Sequence, residues 1–195
     1  MGVGSSVAVV ATALNPRERF WPRMLSRCFG SSKHSTADES LNTSLYFAAS
    51  PDKVWQGLLF YEEVPGRPPF PLNIFMPNPV RTEGGKGTVG ACIRCIYEDG
   101  DLVKRITAVQ APNFIRFEVA DQRLGIEGCA VARGGSYELR ANGAGTEIVA
   151  STHYTTYLRP RWIWRPAEKM VMGQLHGHVL RGMRSAIEAR GDFPE

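Results

Sequence analysis

Length, composition and charge indicate a single globular domain of an ordinary kind. The chain has 195 residues, and about 150 of them lie in a region of regular hydrophobic patterning, enough for one domain. Hydrophobic residues make up 43% and charged residues 22%, values that are ordinary for soluble proteins. The net charge of +4 is not gathered into a basic face among the predicted strands, so we expect no nucleic acid partner.

Residues 1–42 differ from the remainder and are predicted to be a poorly ordered N-terminal extension. Their apolar run from Val7 to Leu14 has eight residues, whereas roughly 20 are needed to span a bilayer. No positively charged segment precedes this run, so a secretory signal is not expected. The alternative for residues 17–27 is a basic amphipathic segment that contacts a membrane surface. The domain itself is predicted to span residues 43–191.

A strand that runs into a helix opens the domain. Leu45, Phe47 and Ala49 alternate with their neighbours as in a half-buried strand. Ser50 is a favourable N-cap, and Pro51 suits the first helical turn, where no amide donor is required. The predicted helix has one apolar face, formed by Val54, Trp55, Leu58 and Leu59.

A proline-rich loop follows this helix. The stretch from Pro65 to Pro79 contains six of the thirteen prolines, interleaved with apolar residues that include Phe75. Proline cannot donate to a sheet ladder, so the stretch is not expected to form a central strand. Two interpretations remain open, a lid over a pocket and a loop that packs onto the core.

Consecutive hairpins fill residues 89–156. Strands are predicted over residues 89–97, 102–109, 114–119 and 136–140, with a weaker segment over residues 126–131 and a final strand over residues 147–156. Asp99-Gly100 and Asn142-Gly143 are strong signals for tight turns. Because no helix intervenes, the sheet is predicted to be antiparallel. In the final strand the even-numbered face is the predicted interior, which places Tyr154 inside and His153 in solvent.

A long helix from about residue 165 to residue 190 closes the chain. One broad face is apolar and is formed by Val171, Met172, Leu175, His176, Val179, Met183, Ala186 and Ile187. His176 is the polar exception on this face. We interpret it as a histidine that is satisfied by a neighbouring hydroxyl group and not as a catalytic residue.

The four cysteines do not form a disulfide framework. Cys92 and Cys95 match a C-x-x-C spacing, but residues three apart in a strand point to opposite faces, and there is no second pair. Buried structural thiols are therefore predicted, and a reducing cytoplasm is the expected location.

Three motifs, taken together with the order of elements, resemble a known superfamily. They are Ala49-Ser50-Pro51-x-x-Val54-Trp55, Gly87-Thr88-Val89-Gly90 and Gly145-Thr146-Glu147-Ile148-Val149 before the long terminal helix. Over residues 43–190 the chain resembles the SRPBCC superfamily, also called START-like or Bet-v-1-like, and is most similar to bacterial polyketide cyclase/dehydrase and lipid-transport members. The resemblance implies an α+β helix-grip fold, in which a curved antiparallel sheet of about seven strands surrounds the C-terminal helix and encloses a cavity. The proline-rich loop departs from the family pattern, because it replaces much of a second short helix.

The resemblance implies binding or transport of a small hydrophobic ligand, such as a lipid, a polyketide or a quinone-like compound. The predicted ligand-binding residues are Trp55, Phe75, Phe117, Tyr137, Tyr154, Met172, His176 and Met183. No catalytic residue is assigned. Two alternatives stay open: an aromatase/cyclase-like enzyme that uses tyrosine and histidine groups of the cavity, and a non-catalytic interaction module whose core is filled by its own side chains.

Oxygenases of the same superfamily hold iron with two histidines and a carboxylate. In this chain His34 lies in the extension and His153 is predicted to face outward. His176 and His178 are two apart on a helix, which separates their directions by about 200°. We therefore expect no metal site and no cofactor.

The segment before the closing helix combines arginine and tryptophan side chains, which suit the headgroup region of a membrane. Its residues are Arg159, Arg161, Trp162, Trp164 and Arg165. A lipid carrier would gain from a transient membrane contact there. The alternative is that the tryptophans close the end of the core while the arginines are solvated.

Overall fold

Seven strands and two helices make up the part of the chain that the structure describes. The computed structural model describes residues 36–60 and 77–189. In chain order the elements are β1 (Ala37–Phe47), α1 (Pro51–Phe60), β2 (Pro79–Glu83), β3 (Cys92–Tyr97), β4 (Gly100–Gln110), β5 (Phe114–Arg123), β6 (Ala130–Asn142), β7 (Gly145–Thr156) and α2 (Arg161–Ala189). The strands form one antiparallel sheet in the order β1-β7-β6-β5-β4-β3-β2. The sheet curves around α2, and the predicted α+β helix-grip fold is confirmed.

Strand β1 begins at Ala37, so residues 37–42 belong to the sheet although the sequence assigned them to the extension. This strand pairs with β7 along its whole length, from Ala37 opposite Thr156 to Phe47 opposite Thr146. Its outward residues are exposed and its inward residues are only half-buried until Phe47, so the hydrophobic pattern of its first half is weak. The amphipathic segment predicted for residues 17–27 lies outside the described residues.

Helix α1 begins at Pro51, as predicted. The amide of Val54 donates to the Ser50 carbonyl at 3.0 Å, which closes the first helical turn. A Cβ atom at Gly57 would meet the side chain of Ile187, so the glycine permits α1 to approach α2 closely. The predicted loop over residues 65–79, including Phe75, lies almost wholly outside the described residues.

The predicted tight turns are present. Strand β3 ends at Tyr97 and β4 begins at Gly100, while the turn between β6 and β7 contains Gly143 at a φ of +58°. A left-handed backbone is easily adopted by glycine, which explains the Asn-Gly signal at this turn.

Several elements differ from the prediction, and β3 begins only at Cys92, three residues after the predicted start at residue 89. Strand β2 was not predicted, because it is short and begins at a proline on the edge of the sheet. Residues 126–129 form a turn, since the amides of Cys129 and Ala130 both donate to the Ile126 carbonyl, and β6 begins only at Ala130. Helix α2 begins at Arg161, where the amide of Trp164 donates to the Pro160 carbonyl at 3.2 Å.

The prediction of buried cysteines is wrong for Cys92, which is exposed on β3. Its neighbour Ile93 faces the core instead, so Cys92 faces solvent by alternation, and Cys95 is half-buried.

The core lies between the concave face of the sheet, α1 and α2. Its largest fully buried apolar side chains are Phe47, Val54, Ile106, Ile148, Leu180 and Met183. In β7 the even-numbered face is inside, with Tyr154 buried and His153 exposed, as predicted. Neither described helix combines the length and the apolar character needed to cross a membrane.

Candidate functional site

A cavity of about 390 Å³ lies between the concave face of the sheet and α2. Strands β2 to β7 and one side of α2 contribute its walls. Most of the lining side chains are apolar, and they include Leu58, Ile93, Leu102, Ile106, Ile115, Phe117, Val119, Val171, Met172, Leu175, Val179 and Met183. A smaller set of polar side chains also reaches the cavity, including Tyr97, Lys104, Tyr137, Thr152, Tyr154, Glu168 and His176.

Most of the residues predicted to bind a ligand lie in this wall. The structure brings together Phe117, Tyr137, Tyr154, Met172, His176 and Met183 around the cavity. Trp55 is buried in the core and is absent from the described lining, whereas Leu58, about one turn later on α1, reaches the cavity. Phe75 lies outside the described residues.

His176 is held by two threonine hydroxyl groups. Its Nε2 atom lies 2.8 Å from Thr152 Oγ1 on β7, and its Nδ1 atom lies 3.1 Å from Thr43 Oγ1 on β1. The prediction of a histidine satisfied by a neighbouring hydroxyl is therefore confirmed. Burial, and secondarily the charge of Lys104, lowers the pKa of His176 to about 4. The imidazole is thus neutral near pH 7 and joins β1, α2 and β7.

Tyr154 and Glu168 form a polar group at the cavity wall. The Tyr154 hydroxyl donates to Glu168 Oε2 at 3.3 Å, and the Thr156 hydroxyl donates to Glu168 Oε1 at 2.8 Å. Burial, together with the nearby negative charge of Glu168, raises the pKa of Tyr154 to about 12. The phenol therefore stays protonated near pH 7 and acts as a hydrogen-bond donor.

Two arginines complete this polar group from the start of α2. Arg161 contacts both carboxylate oxygens of Glu168, at 2.6 and 3.0 Å, and also donates to Glu39 at 2.9 Å. Arg165 makes a second ion pair with Glu39. Burial of Glu39 opposes its ionisation, but the hydrogen bonds from Arg161 and Arg165 outweigh that cost and lower its pKa. Arg161, predicted to contact a membrane, is therefore engaged in internal ion pairs.

Lys104 projects into the cavity from β4. Its ammonium nitrogen lies 4.4 Å from the centroid of the Phe117 ring, a cation–π arrangement. Cys95, Tyr97 and Tyr137 lie within electrostatic reach of it. Desolvation is the largest single influence on the pKa of Lys104 and acts to lower it, but Cys95, Tyr137 and Tyr97, once ionised, together raise it above the usual value.

An exposed apolar surface lies at the start of α2, next to the cavity. Trp162 is 79% exposed, and Ile163 and Met170 are about half exposed. Ile163 and Met170 are seven residues apart and share one side of the helix. Met170 and Trp164 also line the cavity, so this surface adjoins it.

Comparisons with known proteins identify the fold. No protein-family model matches the chain, and no curated protein sequence matches it. A solved structure from Thermus thermophilus superposes with a TM-score of 0.56 at 13% identity and covers 79% of this chain and 100% of that one. Norcoclaurine synthase from Thalictrum flavum, in complex with dopamine and hydroxybenzaldehyde, gives 0.55 at 14% identity over 82% of this chain and 91% of that one.

A further structure, an uncharacterised protein from Rhizobium leguminosarum, gives a TM-score of 0.53 at 11% identity over 80% of this chain and 97% of that one. The chain has a Bet-v-1-like fold. At these identities the likeness shows the fold alone.

The sequence analysis did not predict two residues of the site, although each occupies a position that could have indicated it. Lys104 stands between Leu102 and Ile106 on the inward face of β4, where strand alternation favours an apolar residue. Glu168 lies one turn before Val171 and Met172 on the inward side of α2. A charged residue at an inward position usually has a partner or a function, so both positions were detectable.

Within residues 36–60 and 77–189, no group of three or more histidine, cysteine, aspartate or glutamate side chains is arranged to hold a metal ion.

Proposed function

We propose that the chain binds a small hydrophobic molecule in the cavity between the sheet and α2. The observation that carries this proposal is the cavity itself, whose volume of about 390 Å³ and largely apolar wall are typical of small-molecule sites. Phe117, Met172 and Met183 would contact the apolar body of the ligand, while Tyr137, Tyr154 and His176 would contact its polar groups. The norcoclaurine synthase structure, which holds small aromatic molecules on the same fold, supports the proposal by analogy.

Several observations favour ligand binding over the two alternatives, an interaction module and an enzyme. An interaction module with a filled core is disfavoured by the size of the cavity. An enzyme that uses His176 as a base is disfavoured because a pKa lowered to about 4 makes the imidazole a weak base near pH 7, and both of its nitrogens lie within hydrogen-bond distance of threonine hydroxyls. Among the described residues no hydrogen bond joins Tyr137, Tyr154 and His176 to one another, whereas a proton-transfer site needs such groups to converge on the substrate.

Native mass spectrometry of the purified protein, followed by denaturing analysis of the released molecules, tests the proposal. A discrete added mass that yields a lipid or an aromatic compound would support it and name the ligand class. A clean apo mass, together with no fluorescence response to an uncharged hydrophobic probe, would count against it.

Filling the cavity with a larger side chain should weaken this binding. Ala132 on β6 lines the cavity, so Ala132→Phe places a ring inside it. Ala141 on the same strand is exposed, and Ala141→Phe makes the same chemical change outside the cavity. We expect Ala132→Phe to weaken binding of N-phenyl-1-naphthylamine at least about tenfold, because the probe would lose buried apolar contact. Fluorescence titration measures this, and equal affinities in the two variants would contradict it.

We further propose that the surface formed by Trp162, Ile163 and Met170 contacts a membrane when ligand is exchanged. This surface is apolar and exposed, and through Met170 it borders the cavity. Indole side chains favour the membrane interface, and Arg165 beside them is more than half exposed despite its ion pair with Glu39. The contact would shorten the path of a hydrophobic ligand through water.

Trp162→Ala should reduce binding to vesicles of phosphatidylcholine and phosphatidylglycerol by about tenfold, since most of the apolar area of the indole would be lost from the interface. Sedimentation of protein with vesicles measures the bound fraction. Tyr46→Ala, which removes an exposed aromatic side chain from β1, is the matched control and should bind as the wild type does. Binding of Trp162→Ala at the wild-type level would overturn the proposed membrane contact.

A further inference from the structure

We propose that Lys104, Tyr97 and Tyr137 form a subsite for a negatively charged group, so that the ligand is an amphipathic acid with one anionic group on an apolar body. This inference rests on the proposed function, because it names the class of molecule that the same cavity would take. The inference also gives a role to the Lys104 ammonium, a cation that binding of a purely apolar ligand would not explain.

The placement of Lys104 carries the inference. The side chain lies on the inward face of β4, among apolar neighbours and over the face of the Phe117 ring. Within the described chain no carboxylate lies within ion-pair distance of it. Buried charges are normally paired, since removing a charge from water without a counter-ion is costly. A bound anion would supply the missing counter-ion.

The hydroxyl groups of Tyr97 and Tyr137 add to this subsite. Both side chains line the cavity near Lys104, and neither hydroxyl has a hydrogen-bond partner among the described residues. Burial raises the pKa of Tyr97, so this phenol remains protonated and can donate a hydrogen bond. An ammonium and two phenols together can give an anion three charge-assisted hydrogen bonds.

The charge state of Lys104 favours capture of an anion over covalent chemistry. The Lys104 ammonium lies over the face of the Phe117 ring, which stabilises its charged form, and an anion bound beside it would stabilise that form further. A protonated amine has no lone pair with which to attack a carbonyl group. It can attract a carboxylate, a sulfonate or a phenolate, and the low polarity of the surrounding wall strengthens that attraction.

A pair of fluorescent probes that differ in one group tests the inference. These probes are 8-anilinonaphthalene-1-sulfonate and N-phenyl-1-naphthylamine, which share the same ring system and differ in the sulfonate. Each probe is titrated into the wild-type full chain and into three single variants, Lys104→Met, Lys104→Arg and Arg105→Met. Arg105 neighbours Lys104 on β4 but is exposed on the other face, so its removal changes the net charge equally.

We expect Lys104→Met to weaken binding of the sulfonate probe by about 10- to 100-fold, as for the loss of a hydrogen bond to a charged group. Binding of the uncharged probe should change by less than about threefold, which also shows that the cavity remains intact. Lys104→Arg should retain most of the affinity for the sulfonate, and Arg105→Met should bind both probes as the wild type does. Ala132→Phe should lose both probes, which places them in the cavity.

The remaining outcomes separate this inference from the proposed function. Unchanged sulfonate affinity in Lys104→Met, with the uncharged probe still bound, overturns the anion subsite and leaves the proposed function standing. Equal loss of both probes in a folded Lys104→Met protein also overturns it, because Lys104 would then shape the cavity and not select charge. Sulfonate binding that survives Ala132→Phe places that probe elsewhere and counts against the inference. If neither probe binds the wild type, the proposed function fails as well.

Discussion

Replacing Glu168 with alanine is expected to lower the free energy of unfolding by about 3–5 kcal/mol, the usual cost of removing one partner from a buried ion pair. The Glu168 side chain is only 7% exposed and that of Arg161 is 22% exposed. Without the carboxylate, Arg161 would lose both of its bonds to Glu168 and the Tyr154 hydroxyl would lose its acceptor, while the Thr156 hydroxyl would be left with the longer contact to the Cys129 carbonyl at 3.3 Å. Urea unfolding followed by circular dichroism measures the change.

Two further variants make the Glu168 result interpretable. Glu168→Gln keeps the shape and can still accept a hydrogen bond but removes the charge, so the loss of stability that it shares with Glu168→Ala measures the charge pairing with Arg161. Glu188→Ala removes a half-exposed carboxylate whose distance to Arg184 is 4.0 Å on the same helix, and it should cost less than about 0.5 kcal/mol. A loss below about 1 kcal/mol in Glu168→Ala would show that the pair behaves as a surface salt bridge and that our account of the network is wrong.

The fold could be predicted because its signals are local. Asn142-Gly143 specifies a tight turn through the left-handed backbone of Gly143, and Glu98-Asp99 joins the paired residues Tyr97 and Gly100 in a two-residue loop. Both turns fix the order of neighbouring antiparallel strands. Alternation along β7 separated the buried Tyr154 from the exposed His153 without any knowledge of the other strands. Ser50-Pro51 likewise marks the beginning of α1 through capping chemistry.

The partners of the polar cavity residues could not be predicted, because they depend on long-range register. Thr43 and Thr152 hold His176 from two different strands, and Thr43 is 133 residues away in sequence. Their positions beside α2 follow from the pairing of β1 with β7, which the weak pattern of β1 did not reveal. Glu39 meets Arg161 for the same reason, since it lies in the part of β1 that was assigned to the extension.

The sequence also could not predict which residue of α1 faces the cavity. Trp55 and Leu58 lie on the same apolar face and are both buried, yet only Leu58 belongs to the described lining of the cavity. The difference depends on where α1 meets α2, and that contact is set by the close approach of Gly57 to Ile187. Helical periodicity gives the buried face of a helix but not the element against which each residue packs.

The stability of the protein should fall as the pH is lowered from about 6.5 towards about 4, because His176 is buried in its neutral form. Its pKa is about 4 in the folded chain, against the ordinary value of 6.5 expected after unfolding. Between these two pH values the unfolded chain binds a proton at His176 that the folded chain excludes. The stabilising contribution of the neutral imidazole is therefore complete above about pH 6.5 and is lost progressively as the pH falls to about 4. Each pKa unit corresponds to about 1.4 kcal/mol, so this group should account for about 3 kcal/mol.

His176→Gln isolates this contribution from those of the other titratable groups. Glutamine offers one donor and one acceptor to Thr43 and Thr152 but cannot take up a proton near pH 5. We expect the difference in unfolding free energy between pH 7 and pH 4 to be smaller by about 3 kcal/mol in this variant than in the wild type. Urea unfolding at both pH values measures the difference. Equal pH dependence in the two proteins would mean that His176 is accessible to protons in the folded state, which would return it to consideration as an acid–base group of the cavity.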